Sequence, residues 1–174
     1  VIPAVVEFVD IAGLVKGAHQ GEGLGNEFLG NIKNTDAILQ VVRSFSNKDV
    51  THVDNRIDPK GDIETIETEL LLKDLQSLET KREKLLKEVR KDPKKSKLVD
   101  YVEFLIKNLS DSVKVIDISE HNFDVDIQLF RKSLNLLTDK PFIYLVNSDS
   151  TDEEVQLSDL GLDKGKIILC MNVQ

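Results

Sequence analysis

The stretch from Asp10 to Asn31, DIAGLVKGAHQGEGLGNEFLGN, follows a short apolar run, Ala4 to Val9, that reads as a β-strand. A carboxylate is therefore expected where a strand runs out. In an open α/β sheet, ligands collect beyond the carboxyl ends of the strands, and there Asp10 can hold a phosphate-bound magnesium ion through water. Three residues on, Gly13 lets a backbone N–H approach a phosphate oxygen with no Cβ in the way. Asp10-x-x-Gly13 has the form of a γ-phosphate sensor in a nucleotide switch, although chance also supplies such a pattern in ordinary glycine-rich loops. The nearby Gly21-x-Gly23-x-Gly25 is not a dinucleotide fingerprint, because it does not directly follow a strand and its third glycine comes too early.

With 174 residues the chain can hold one α/β domain with a modest insertion. A net charge of -8 argues against a generally basic nucleic-acid-binding surface while leaving room for a local one. The single cysteine, Cys170, allows no internal disulfide and fits a reducing compartment, and it reads as a buried apolar filler. No apolar run reaches membrane-spanning length, so a cytoplasmic protein is expected. No Gly-x-x-x-x-Gly-Lys-Ser/Thr loop occurs, and the chain opens on what would be an interior strand. The expectation is a part of a longer protein, inactive by itself.

Along the chain, Gly25 or Asn26 starts a helix with Phe28, Leu29 and Ile32 on one face, and Ala37 to Arg43 reads as a buried strand. Ser44 to Gly61 is a polar connector with Asp58-Pro59 and Gly61 as breakers. From Asp62, apolar residues from Ile63 to Val89 recur at helical spacing, predicting one long amphipathic helix that stops at Asp92-Pro93. Leu98, Val102, Leu105 and Leu109 form the stripe of a returning helix, so the two stripes are expected to bury each other in a helical hairpin. Val113 to Ile118 reads as extended, Ser119 or Asn122 as the cap of a helix presenting Phe123, Ile127, Phe130 and Leu134. Phe142 to Asn147 and Lys166 to Met171 read as two further buried strands. Strands separated by helices predict a parallel, doubly wound α/β sheet, here incomplete, with the hairpin inserted in it. The divisions expected are a partial nucleotide-binding domain over 1–61, the hairpin over 62–112, and the rest of that domain over 113–174.

The hairpin tip is basic. Between Lys81 and Lys97 nine basic residues accompany Glu83, Glu88 and Asp92. Such a tip suits a phosphate-rich partner such as RNA, while the plainer reading is a solvated face supported by local ion pairs.

The run Asp10-Ile11-Ala12-Gly13-Leu14-Val15-Lys16-Gly17-Ala18, with Gly21-Glu22-Gly23-Leu24-Gly25-Asn26, is similar to the switch II region of the YchF/Obg-like ATPase family of P-loop NTPases. That resemblance implies a P-loop NTPase-type sheet, a coiled-coil hairpin insertion, magnesium, ATP preferred over GTP, a further TGS domain and association with ribosomes. Leu14 stands where many GTPases place a water-orienting glutamine, and leucine can neither donate nor accept a hydrogen bond. His52 resembles the loop histidine to which hydrolysis is attributed in this family; His19 is the other candidate, and both could be inert loop histidines. Asn147 ends a strand where an amide can read a purine base, or can serve as a turn residue. In the family it opens an Asn-x-x-Glu motif, and the Ser148 backbone meets the adenine edge. Here the run is Asn147-Ser148-Asp149-Ser150, so the glutamate is missing. Ser150 cannot supply the carboxylate that accepts from N1–H and N2–H₂ of guanine, which removes one argument for guanine.

These residues predict a nucleotide hydrolase of the Obg-like ATPase type acting as a ribosome-associated switch. The catalytic residue expected is His52, with Gly13, Asn147 and Ser148 binding nucleotide and Asp10 holding the metal. Two alternatives remain: a ribosome- or RNA-binding adaptor with little or no hydrolysis, and a conventional GTPase.

Overall fold

The computed structural model describes residues 5–10, 30–45, 57–119, 123–149, 160–162 and 166–172. Its described elements are β1 (Ile38–Ser44), α1 (Pro59–Val89), α2 (Ser96–Ser110), α3 (Val125–Leu134), β2 (Phe142–Ser148) and β3 (Ile167–Met171). The strands form one parallel sheet in the order β1-β2-β3, with Leu39 beside Ile143 beside Ile167 and Arg43 beside Asn147 beside Met171. Helices α1, α2 and α3 all lie in the chain between β1 and β2, a crossover that parallel neighbours require.

The residues expected to break the chain at 58–61 instead start α1. Asp58 caps the helix by accepting the Gly61 N–H at 3.0 Å, and Pro59 occupies the first turn, where its missing N–H is no loss. Gly61 suits this cap because a Cβ there would collide with the Asp58 carboxylate. The 31 residues of α1 extend ~46 Å. Ile63, Leu70, Leu78 and Leu85 recur at intervals of about two turns and are all buried, which defines its inward face.

The chain reverses at Asp92, whose carboxylate accepts the Lys94 N–H ahead of a short 3₁₀ turn over Pro93–Lys95. Helix α2 then returns along α1. Near the turn Lys95 contacts Glu88 at 2.5 Å, and at the far end Lys114 contacts Glu67. The apolar stripes of the pair meet as expected, but they do not bury only each other. Leu78 and Leu85 of α1 and Val99, Tyr101, Val102, Leu105 and Leu109 of α2 share one core with Val115, Ile127 and Leu136.

Segment 113–118 is not extended; Val115–Asp117 is a 3₁₀ turn. Its carbonyls are claimed by a side chain instead of a strand. The buried Arg131 donates from Nη2 to Val115 O at 2.6 Å and from Nη1 to Ile118 O at 2.9 Å, while Nε and Nη2 together grip the Asp139 carboxylate. The cap of α3 is neither Ser119 nor Asn122 but Asp124, which accepts the Ile127 N–H at 2.9 Å. Ile127 is buried as expected, with Phe123, Phe130 and Leu134 packed against the same core.

One sheet face is covered: Val42, Tyr144 and Val146 pack with Ile63 of α1, Leu160 and Leu162. On the opposite face Leu39, Val41, Ile167 and Leu169 are exposed, so among the described residues helices cover one side of the sheet. Strand β3 is accordingly an exposed edge strand and not a buried one, and Cys170 is exposed, not a core filler. Residues 5–10 form no strand, correcting that expectation for the segment before Gly13; with no described strand hydrogen-bonded to it, Val5, Val6, Phe8 and Val9 stay exposed. Helix is present at 30–33 with Ile32 buried against Leu70 and Leu137, whereas Phe28 and Leu29 lie outside the described residues. None of the described helices is long and apolar enough to cross a membrane.

Asp74, wholly buried on α1, joins helix to sheet. Its carboxylate accepts the N–H of Leu137 at 2.9 Å, the N–H of Thr138 at 2.8 Å and the Thr138 hydroxyl at 2.8 Å, just before β2. Burial raises its pKa above the ordinary aspartate range although all three donors pull the other way. Asp74→Ala leaves two buried N–H groups without an acceptor and should lower stability by about 2–4 kcal/mol, read as a shift of the urea midpoint at unchanged slope. A shift within error would show that the junction is not held by this carboxylate.

Candidate functional site

The carboxyl edge of the parallel sheet gathers the ends of β1, β2 and β3, the edge where open α/β sheets hold ligands. Arg43, Asn147 and Met171 lie side by side in register there, and Ser148 still pairs with Ser44. Asn147 is half-buried and Ser148 is buried, which fixes its backbone while Asp149 emerges into solvent. Two side chains tie the strand ends down. Asn172 donates from Nδ2 to Asp149 O at 2.7 Å, linking the exits of β2 and β3. Arg43 donates from Nε to Phe45 O at 3.3 Å and lays its guanidinium over the Phe45 ring, 4.6 Å from the centroid.

The expected site residues are placed unequally. Asn147 and Ser148 stand together at the end of β2 as expected. Asp10 is described, but it is exposed and its segment pairs with no strand, so it is not at a strand mouth. Gly13 and His52, like Leu14, His19 and Ser150, lie outside the described residues. Asn172 was given no role of its own by sequence reasoning; the available signal was a side-chain amide one position past a strand end.

The opposite, amino edge of the sheet holds a cavity of about 240 Å³ between Lys114, Asp117, Phe142, Lys166 and Ile167. Its two lysines are already neutralised, Lys114 by Glu67 and Lys166 by Asp117 at 3.0 Å. The Tyr144 hydroxyl also donates to Glu67, and burial and that carboxylate push the phenol well above the usual tyrosine range. A cavity with its cations paired and at the amino ends of the strands is poorly suited to a triphosphate.

At the hairpin tip the charges divide. Lys95 pairs with Glu88 and Lys97 with Asp124 and Asp126, while Lys81 lies over the Phe130 ring at 5.4 Å. Lys84, Lys87, Arg90, Lys91 and Lys94 are exposed or half-exposed and make no ion pair among the described residues.

Residues 3–74 match the profile of a family described as 50S ribosome-binding GTPase. The chain is 44% identical over 160 residues to the ribosome-binding ATPase YchF of Haemophilus ducreyi, covering 90% of this chain and 43% of that protein. It is 38% identical over 159 residues to an Obg-like ATPase homolog of Saccharomyces cerevisiae, covering 87% and 39%. The solved structure of the Schizosaccharomyces pombe YchF GTPase superposes with a TM-score of 0.68 at 30% identity, over 87% of this chain and 44% of that one. The chain spans about two fifths of the length of the curated relatives it matches. The parallel sheet and this level of identity agree: over most of its own length the chain is a homologue of the proteins of the YchF/Obg-like ATPase family.

Proposed function

We propose that the full-length protein carrying this chain is a magnesium-dependent nucleotide hydrolase that prefers ATP to GTP and acts as a ribosome-associated switch. The observation that carries this reading is the 44% identity, over 90% of the chain, to a relative named a ribosome-binding ATPase. Geometry supports it at the base site: Asn147 ends a central strand at the ligand-binding edge, with the buried Ser148 backbone beside it. Asp10 fits a magnesium ion, which keeps several waters and needs only one or two carboxylates besides phosphate oxygens, and its side chain is exposed. Gly13 donates its N–H to the γ-phosphate, and Ser148 meets the base through its backbone. Since Leu14 cannot orient water, His52 takes that role. Switch II then orders around the γ-phosphate and reports nucleotide state. The α1–α2 pair is the coiled-coil hairpin of the family, with the exposed lysines and arginine of its tip turned toward ribosomal RNA, and the working compartment is the cytoplasm.

A second reading, GTP as substrate, is favoured by the names of two relatives: the matching family is described as a ribosome-binding GTPase, and the fission yeast protein of solved structure is called a YchF GTPase. Competition binding of the two nucleotides to the full-length protein decides it; a clear GTP preference overturns the ATP assignment.

His52→Ala in the full-length protein should lower phosphate release from ATP by about 10²-fold or more while ATP affinity stays within about twofold. Undiminished turnover removes His52 from catalysis. Lys84→Glu combined with Lys87→Glu and Lys94→Glu should weaken ribosome co-sedimentation and reduce the slope of its salt dependence by up to about 3. An unchanged slope returns the basic tip to the status of a solvated surface.

A further inference from the structure

The backbone ladder between β2 and β3 ends at Asn147 opposite Met171. One residue further, Ser148 is still paired on its other side with Ser44, but β3 has finished. The side-chain amide of Asn172 crosses this gap and donates to Asp149 O at 2.7 Å, extending the link between the two strands by one hydrogen bond beyond the ladder. We infer that Asn172 is a positioning residue for the base-reading segment, fixing the peptide that leaves Asp149 so that Asn147 and Ser148 present a constant edge to the purine of a bound nucleoside triphosphate. The inference rests on the nucleotide-hydrolase reading.

The chemistry of the pair suits this role. Asp149 is the first exposed residue after the buried Ser148, so the chain passes there from a position set by the sheet to one set by local contacts. A carbonyl acceptor demands nothing of the Asp149 side chain, which leaves its carboxylate outside the tie. Met171, the last residue of β3 in register, has no hydrogen-bonding proton on its side chain, so the donor is the residue just past the strand. Asparagine, one position on, has the reach and two N–H donors. The β1 exit is held locally, by Arg43 on the carbonyl of Phe45 two residues on, so on both sides of β2 a side chain holds a backbone carbonyl at this edge. Fixing the segment before ligand arrives reduces the ordering that binding must otherwise impose, and that gain applies to contacts with the base and not to contacts with the phosphates.

The test uses the full-length protein, with ATP, GTP and inorganic tripolyphosphate as a base-free probe. Asn172→Ala should weaken ATP binding about fivefold, the size expected for one exposed neutral hydrogen bond, and should change the ratio of ATP to GTP affinity. Tripolyphosphate affinity and turnover at saturating ATP should stay at the unaltered level, and Asn172→Gln, which restores a donor, should recover ATP binding to within about twofold. Unchanged ATP affinity and nucleotide ratio in Asn172→Ala would overturn the inference, as would an equal loss toward tripolyphosphate or a glutamine variant as weak as alanine. If the unaltered protein binds neither nucleotide, the hydrolase reading falls and takes this inference with it; if it binds ATP and Asn172→Ala does so equally well, this inference alone falls.

Discussion

The contact between Asp74 and the backbone of Leu137 and Thr138 is the constraint on which the described architecture depends. β1 ends at Ser44 and β2 begins at Phe142, yet they are neighbours in the sheet. Closing so long a connection is entropically unfavourable, and parallel pairing offers no tight turn to help. The crossover is instead folded into a helical unit and anchored just before β2. Asp74 anchors it to α1, Arg131 holds the 115–118 turn and Asp139, and Lys140 donates to the carbonyls of Lys33 and Thr35 beside β1. Each of these groups is polar and buried, so each is costly unless fully partnered. That cost gives the junction its specificity: a slip of β2 against β1 would strand several of them at once.

The two edges of the sheet are consequently built differently. At the amino edge, carboxylates and lysines neutralise one another around Glu67, Lys114, Asp117 and Lys166, and the Tyr144 hydroxyl completes the set. At the carboxyl edge, side-chain hydrogen bonds at exposed or half-exposed positions run from Arg43 to Phe45 and from Asn172 to Asp149. At the amino edge charge is matched by charge, whereas at the carboxyl edge side-chain donors hold the backbone carbonyls of the strand exits.

Much of this was legible in the sequence because the signals were local. The apolar runs at 37–43 and 142–147 and the heptad-like spacing from Ile63 to Leu85 each name one element, and each element is present. What misled was context. Asp58-Pro59 reads equally as a loop breaker or a helix start, and only the Gly61 N–H within reach of Asp58 decides between them. A continuous apolar run implies two buried faces, but Ile167 and Leu169 on β3 are exposed. At the site, Asn147 and Ser148 were visible because a strand end fixes their place. Asn172 was not, because its partner is distant in sequence and only the register between β2 and β3 brings the two together. Asp10 was assigned from a motif whose strand needs a neighbour, and the described residues contain none for it.

The charge pattern carries the same lesson about counting versus geometry. A chain of net charge -8 has nine basic residues between Lys81 and Lys97, but they are not equivalent. Lys95 and Lys97 are occupied by carboxylates, one across the hairpin turn and one from the start of α3, and Lys81 covers an aromatic ring of the core. These three lock the end of the hairpin to its own body. Lys84, Lys87, Arg90, Lys91 and Lys94 remain outside such pairs, clustered around the carboxyl end of α1, where the helix dipole already favours cations. The dipole explains why positive charge is tolerated there. It does not account for five such cations in eleven positions, whose mutual repulsion falls when counter-charge from outside the chain is supplied.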